Sequence, residues 1–113
     1  MHELSVTESI LEISLRHARE ANAQRILGLH IVIGQLASIV DDSVQFYWDL
    51  IAKDTLAEGA QLNFERIPAQ LECLDCSTRY GLDGREMACP NCQGTKVRIA
   101  TGKEFYVSSI EVE

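Results

Sequence analysis

Four cysteines fall in two pairs of identical spacing, and this pattern constrains the fold more than any other feature of the chain. Two residues separate Cys73 from Cys76, two separate Cys89 from Cys92, and twelve lie between the pairs. A two-residue gap lets a tight turn direct both sulfurs at one ion, so two such turns can present four thiolates tetrahedrally. Because protein would fill all four positions, the sequence predicts a structural metal site rather than a catalytic one.

The expected cellular compartment decides whether the cysteines bind a metal or form disulfides. The N-terminus lacks a basic leader followed by an apolar run, and no apolar run approaches membrane-spanning length. We therefore expect a cytoplasmic protein that does not enter a membrane, in which paired thiols stay reduced and bind zinc rather than form disulfides. Iron in a rubredoxin-like site is the main alternative, because a tetrahedral set of four sulfurs suits both metals.

Two amphipathic helices are predicted. The first covers residues 4 to about 22, where apolar side chains share one half of the helix, and His17 lies on that half as an expected core histidine. Asp42 is expected to be the N-cap of the second helix, with Gln45 as its capping-box partner. This helix should extend from Ser43 to about Ala57, before Gly59.

Three strands complete the predicted fold. Apolar and β-branched residues alternate at 26–33, 60–67 and 104–112, which favours strands in a mixed or antiparallel sheet. The fold class is therefore α+β, with two helices packed on a small three-stranded sheet. Residues 1–70 and 100–113 should form this domain. Residues 71–99 should form an inserted zinc-ribbon-like knob, which has few large apolar side chains and needs a metal to hold it together.

The charge of the chain disfavours nucleic acid as a partner. The formal net charge is -7, whereas binding to phosphate requires an excess of Lys and Arg. The cysteine knob itself is neutral between residues 72 and 98, with four acidic and four basic side chains. We expect no nucleic acid and no anionic membrane among the partners.

The first three residues, Met-His-Glu, are a second candidate metal site. The terminal amine, the backbone nitrogen and imidazole of His2, and the Glu3 carboxylate are close together along the chain. They can offer nitrogen and oxygen donors in one plane, an arrangement that favours Ni(II) or Cu(II) over zinc. The first helix begins directly afterwards, and its positive end favours the Glu3 carboxylate.

Three motifs together resemble the HypA/HybF family of hydrogenase nickel-incorporation proteins. They are "MHELS" at the start, "IGQLASI" after the first strand, and the doubled cysteine motif between strands two and three. The resemblance covers essentially the whole chain. It implies a nickel metallochaperone that helps to insert nickel into the large subunit of [NiFe]-hydrogenase together with the HypB GTPase. Some relatives also serve urease, so urease maturation factors are further implied partners.

The resemblance also implies roles for individual residues. His2 matches the nickel ligand and Glu3 a residue that assists or ligates, so residues 1–70 and 100–113 become the nickel-binding domain. Cys73, Cys76, Cys89 and Cys92 match zinc ligands, and residues 71–99 become the zinc-binding domain. Asp41 is the candidate for an additional acidic nickel ligand; the alternative is that Asp41 and Asp42 serve only to cap the second helix. Gln35 departs from the family, which usually has Glu at this position.

Two other classes of function compete with metal delivery. A zinc-ribbon module that recruits a protein or nucleic acid would contain the same cysteines but carry no labile metal. An enzyme is not expected, because the sequence shows no Ser/His/Asp arrangement, phosphate loop or paired acids and the thiolate site is closed. A monomer or a weak homodimer is expected.

Overall fold

Two helices and six strands follow one another in the computed structural model, which describes residues 3–82 and 88–113. The α+β fold class and the two helices are confirmed. The elements, in chain order, are α1 Glu3–Glu20, β1 Ile26–Gly34, α2 Asp41–Ile51, β2 Gln61–Ile67, β3 Gln70–Cys73, β4 Arg79–Gly81, β5 Val97–Thr101 and β6 Phe105–Val112.

The first sheet has the strand order β2-β1-β6 and is mixed. β1 and β6 are antiparallel, because Arg25 exchanges backbone hydrogen bonds with Glu113 while Gly34 donates to Glu104. α2 lies between β1 and β2 in the chain, as expected for a crossover between parallel strands. Two contacts agree with parallel pairing of β1 and β2. Gly28 lies close to the Gln61 carbonyl oxygen, and farther along in the same direction the Gln35 N–H donates to the Ile67 carbonyl.

One face of α1 is buried, and two of its members are polar. Thr7 and Ser14 are fully buried beside Ile10 and Ala18. Their hydroxyls donate to backbone carbonyls four residues earlier, Thr7 at 2.5 Å and Ser14 at 2.7 Å, so both buried hydroxyls have a hydrogen-bond partner. This rotation of the helix leaves His17 exposed, 4.0 Å from Glu20, and the expectation of a core histidine is wrong.

The second helix differs from the prediction at both ends. It begins at Asp41 after Val40, whose side chain provides no capping hydrogen bond. Asp42 therefore lies within the first turn, where its negative charge interacts favourably with the helix dipole. The Gln45 side chain donates to the Asp49 carboxylate rather than to the backbone of the N-cap residue. The helix ends at Ile51, six residues before Ala57, and turns with a left-handed residue at Asp54 follow.

The described residues divide into two compact units. One comprises residues 3–32, 38–65 and 106–113, and the other comprises 33–37, 66–82 and 88–105. The second unit contains the cysteines but is wider than the expected segment 71–99, because it also includes residues 33–37, 66–70 and 100–105. Among the described residues, no helix is both long enough and apolar enough to cross a membrane.

Candidate metal centre

A second three-stranded sheet supports the cysteines. β3 lies at its centre and pairs in antiparallel fashion with β4 and with β5. Leu71 lies opposite Tyr80 on one side and Ile99 on the other, and it is fully buried. Within the described part of 66–105 it is the single large aliphatic side chain in the buried class, which agrees with the expected need for a metal. These strands were not predicted from the sequence.

The two cysteine pairs lie on turns of the same backbone geometry. In the first turn, Ser77 donates to the Cys73 carbonyl at 2.9 Å, and the Cys73 N–H donates to Thr78 at 2.9 Å. The second turn repeats both bonds, with Gln93 donating to Cys89 at 2.8 Å and Cys89 to Gly94 at 2.9 Å. The residue after each second cysteine is left-handed, with φ of 64° at Ser77 and 60° at Gln93. The chain thus builds one metal-binding turn twice.

The four sulfurs converge on one point. Cys73 Sγ lies 3.6 Å from Cys92 Sγ, and Cys76 Sγ lies 3.5 Å from Cys89 Sγ. All four lie within 4.8 Å of one another, and none is in a disulfide. A tetrahedral zinc with Zn–S bonds of about 2.3 Å would separate its sulfurs by about 3.8 Å. The donor set and its spacing therefore fit a tetrahedral zinc or iron ion.

Hydrogen bonds differentiate the four thiols when no metal is bound. Contacts with the Thr78 hydroxyl at 3.1 Å and with Asn91 Nδ2 at 3.6 Å stabilise a thiolate and lower the pKa of Cys76 to about 6. The Gly94 backbone N–H lowers the pKa of Cys92, but protons shared with the other three cysteines outweigh it and raise that pKa to about 12. The lowered pKa favours the thiolate form of Cys76, which is the form that binds a metal ion.

Thr78 and Asn91 contact the cysteine sulfurs, and the sequence analysis did not identify them. Asn91 also donates its backbone N–H to Cys89 Sγ at 3.4 Å, so it touches both cysteine turns. Their position inside or just after a cysteine turn was the available signal, because groups that hydrogen-bond to metal-bound sulfurs commonly lie there.

Charge on the cysteine sheet is neutralised locally. Arg98 donates to Glu72 at 2.6 Å, and Arg79 lies 3.8 Å from the other oxygen of the same carboxylate. Two of the four basic residues counted in this segment are therefore paired within the sheet, which leaves less positive charge for phosphate.

Of the candidate nickel ligands, Glu3 and Asp41 lie within the described residues. His2 lies outside the described residues. Glu3 is half-buried as the first residue of α1, and its carbonyl accepts the Thr7 hydroxyl. Asp41 is half-buried as the first residue of α2. Among residues 3–82 and 88–113, the four cysteines are the one group of three or more His, Cys, Asp or Glu side chains close enough to share an ion.

The remaining histidines stand apart from this cluster. His30 Nε2 lies 2.8 Å from the Glu65 carboxylate on the neighbouring strand of the first sheet. This half-exposed pair gives the mid-strand histidine a structural partner. His17 is exposed on α1.

Comparison with known proteins gives a full-length match. The family described as "Hydrogenase/urease nickel incorporation, metallochaperone, hypA" matches residues 1–112. Hydrogenase maturation factor HypA of Dehalococcoides mccartyi is 42% identical over 113 residues, covering 100% of this chain and 95% of the relative. HypA of Caldanaerobacter subterraneus is 40% identical and hydrogenase maturation factor HybF of Salmonella typhimurium 37%, each over 100% of both chains.

Solved structures resemble the fold over its whole length. A solution structure of a HypA protein superposes with a TM-score of 0.77 and 25% identity, covering 100% of this chain and 97% of the other. The solution structure of the Ni metallochaperone HypA from Helicobacter pylori gives a TM-score of 0.68 with 24% identity, over 99% and 97% of the two chains. The latter likeness bears on the fold alone.

Proposed function

Because the chain belongs to the HypA/HybF family of hydrogenase maturation factors, we propose that it binds Ni(II) at its N-terminus and delivers it to the large subunit of [NiFe]-hydrogenase. In this proposal the protein carries nickel as cargo and is not an enzyme. Residues 1–70 and 100–113 form the nickel-binding domain, and residues 71–99 form the zinc-binding domain.

The convergence of four sulfurs is the observation that carries the zinc part of the proposal. Cys73, Cys76, Cys89 and Cys92 would hold one zinc ion, which supplies a fixed cross-link between β3 and the second cysteine turn. With so little apolar surface buried in that unit, metal binding contributes much of its folding free energy. Thr78 and Asn91 would stabilise the thiolates.

The nickel part of the proposal rests on the match of His2 to the nickel ligand of the family. Of the three histidines, His17 and His30 both lie outside any group of three donors in the described part of the chain. We propose His2, which matches the family's nickel ligand, as the imidazole donor for an exchangeable nickel ion. The terminal amine and Glu3 would complete the donor set, and Asp41 is the further acidic candidate. α1 begins at Glu3 and gives these donors a rigid base.

The partners follow from the family. We propose that the protein works in the cytoplasm with the HypB GTPase and the hydrogenase large subunit. Urease maturation factors are further candidates, since the family description includes urease. Neither nucleic acid nor membrane is proposed as a partner.

A paired-tag experiment tests the proposed nickel site. Nickel binding is measured by calorimetry for the untagged, zinc-loaded protein and for two variants that carry the same short peptide, one before Met1 and one after Glu113. We expect the N-terminal extension to weaken nickel binding at least about tenfold and the C-terminal one to leave it unchanged, because only the former removes the free amine. Absence of nickel binding by the untagged protein would contradict the proposed function. Equal binding by all three proteins would remove the amine from the ligand set.

A further inference from the structure

Two hollows lie end to end along α1 and α2. The first has a volume of about 340 Å³ and the second about 320 Å³, and Glu8 lines both of them. We call the combined depression the helix groove. Between residues 3 and 19 it follows α1 for about 24 Å, at 1.5 Å per residue. The other lining residues are Glu3, Leu4, Ser5 and Tyr47 in the first hollow, and Leu11, Glu12, Leu15, Arg19 and Ile51 in the second.

Five of the ten residues that line the helix groove are apolar or aromatic, and further apolar side chains lie beside it. Two side chains of α2, Phe46 and Leu50, are 60% and 59% exposed and lie one helical turn apart. The Phe46 ring packs edge-on against Tyr47 with centroids 5.4 Å apart, which joins this pair to the groove. Single exposed apolar residues are ordinary, but a continuous apolar surface of this kind marks a binding site.

Three of the ten lining residues carry a carboxylate. Glu3, Glu8 and Glu12 line it from its beginning to its middle, and Arg19 lies at the opposite end. Asp49 lies next to Leu50 in the chain, and the whole chain carries a net charge of -7. Such a surface attracts a cationic partner and repels an anionic one.

We propose that the helix groove binds an amphipathic helix of a protein partner, with apolar anchors at positions i, i+3, i+4 and i+7 and with Lys or Arg along its flanks. Apolar anchors spaced in this way are how helices bind in grooves of this shape. The length of the groove accommodates about 16 helical residues. A second copy of this chain is a poorer occupant, because it would bring two acidic surfaces together.

The experiment uses a synthetic 17-residue Leu/Lys helix with that apolar spacing as the probe, and the same peptide with Glu in place of Lys as its control. Binding to the full-length, zinc-loaded protein is measured by fluorescence anisotropy. Leu50→Ser is the test variant and Leu74→Ser the matched control, because both leucines are 59% exposed. Leu50 lies on α2 beside the residues that line the groove, whereas Leu74 lies in the first cysteine turn.

We expect one Leu/Lys peptide to bind per chain and the Leu/Glu peptide to bind at least about tenfold more weakly. Leu50→Ser should weaken binding at least about fivefold, whereas Leu74→Ser should change it less than about twofold. Amide chemical-shift changes in the wild type should fall in α1 and α2. Equal weakening by both variants, equal binding of both peptides, or shifts confined to the cysteine sheet would overturn the proposal. So would a dimer in sedimentation equilibrium that Leu50→Ser dissociates, since the groove would then be occupied by a second copy.

Discussion

Replacement of Gly34 by alanine should destabilise the cysteine-containing unit. A Cβ at this position would lie 2.1 Å from the Gly102 carbonyl oxygen and 2.2 Å from its carbon. Both are backbone atoms, so the chain must move by more than about 1 Å to restore ordinary contact distances. Nearby backbone hydrogen bonds, from Gly34 to Glu104 and from Leu36 to Gly102, both at 2.7 Å, would be broken or stretched.

The expected cost follows from these contacts. Two hydrogen bonds contribute about 1 kcal/mol each, and a forced side chain in a tightly packed site costs about 1–3 kcal/mol. The reduced entropy of the unfolded chain offsets about 0.4–1 kcal/mol. We therefore expect Gly34→Ala to lower the free energy of unfolding by about 3 kcal/mol.

Urea denaturation of the zinc-loaded protein, followed by circular dichroism, measures this change. Hydrogen exchange at the Leu36 amide reports on the same site locally and should accelerate in the variant. Gly81→Ala is the control, because among residues 3–82 and 88–113 no atom beyond its two chain neighbours lies within 4 Å of the added Cβ, and it should change the stability by less than about 0.5 kcal/mol. A loss below about 1 kcal/mol for Gly34→Ala, with Leu36 exchange unchanged, would refute the reasoning.

Three further predictions concern the metals and the segment after β1. Elemental analysis should find one zinc per chain; iron, or oxidised cysteines without metal, would contradict this prediction. Cys73→Ser should unfold the cysteine sheet, while the circular dichroism signal of the helices persists. Gln35 accepts the Ala69 N–H at 2.7 Å through its side-chain oxygen. Gln35→Glu should therefore change stability by less than about 1 kcal/mol in urea denaturation, whereas Gln35→Leu should cost about 1–3 kcal/mol by leaving that N–H unpaired. Nickel affinity measured by calorimetry should fall as pH is lowered through about 6.5, because an imidazole must be neutral to bind, and Glu3→Gln should weaken binding less than loss of the imidazole does. A pH-independent affinity would exclude an imidazole ligand.

The sequence predicted the elements whose periodicity reflects burial. β1 spans residues 26–34 and β2 spans 61–67, close to their predicted limits. β1 is buried along most of its length, and β2 has Leu62 buried and Phe64 half-buried, so both strands carry an apolar signal in the sequence. The convergence of the four cysteines was also predictable, since a two-residue spacing leaves few geometries other than a metal-binding turn.

Other features depend on tertiary contacts that periodicity does not carry. β4 has three residues and is held in place by pairing with β3, so its own sequence is too short to show a strand pattern. His17 was assigned to the core because Thr7 and Ser14 were not recognised as buried, and their bonds to the preceding turn are what permit their burial. The role of Gly34 as a point of close approach to Gly102 could not be read from "IGQL" alone.

The most direct test of nickel delivery is calorimetric titration of Ni(II) into zinc-loaded wild type and His2→Ala at one pH, with His17→Ala as the matched histidine control. Loss of the imidazole should abolish specific nickel binding in His2→Ala, while zinc content and circular dichroism stay unchanged. His17→Ala should bind nickel as the wild type does, because that exposed side chain belongs to no group of donors in the described part of the chain. Equal nickel affinity of wild type and His2→Ala would contradict the assignment of the N-terminus as the nickel site. A zinc-ribbon interaction module without labile metal would then be the better account of the chain.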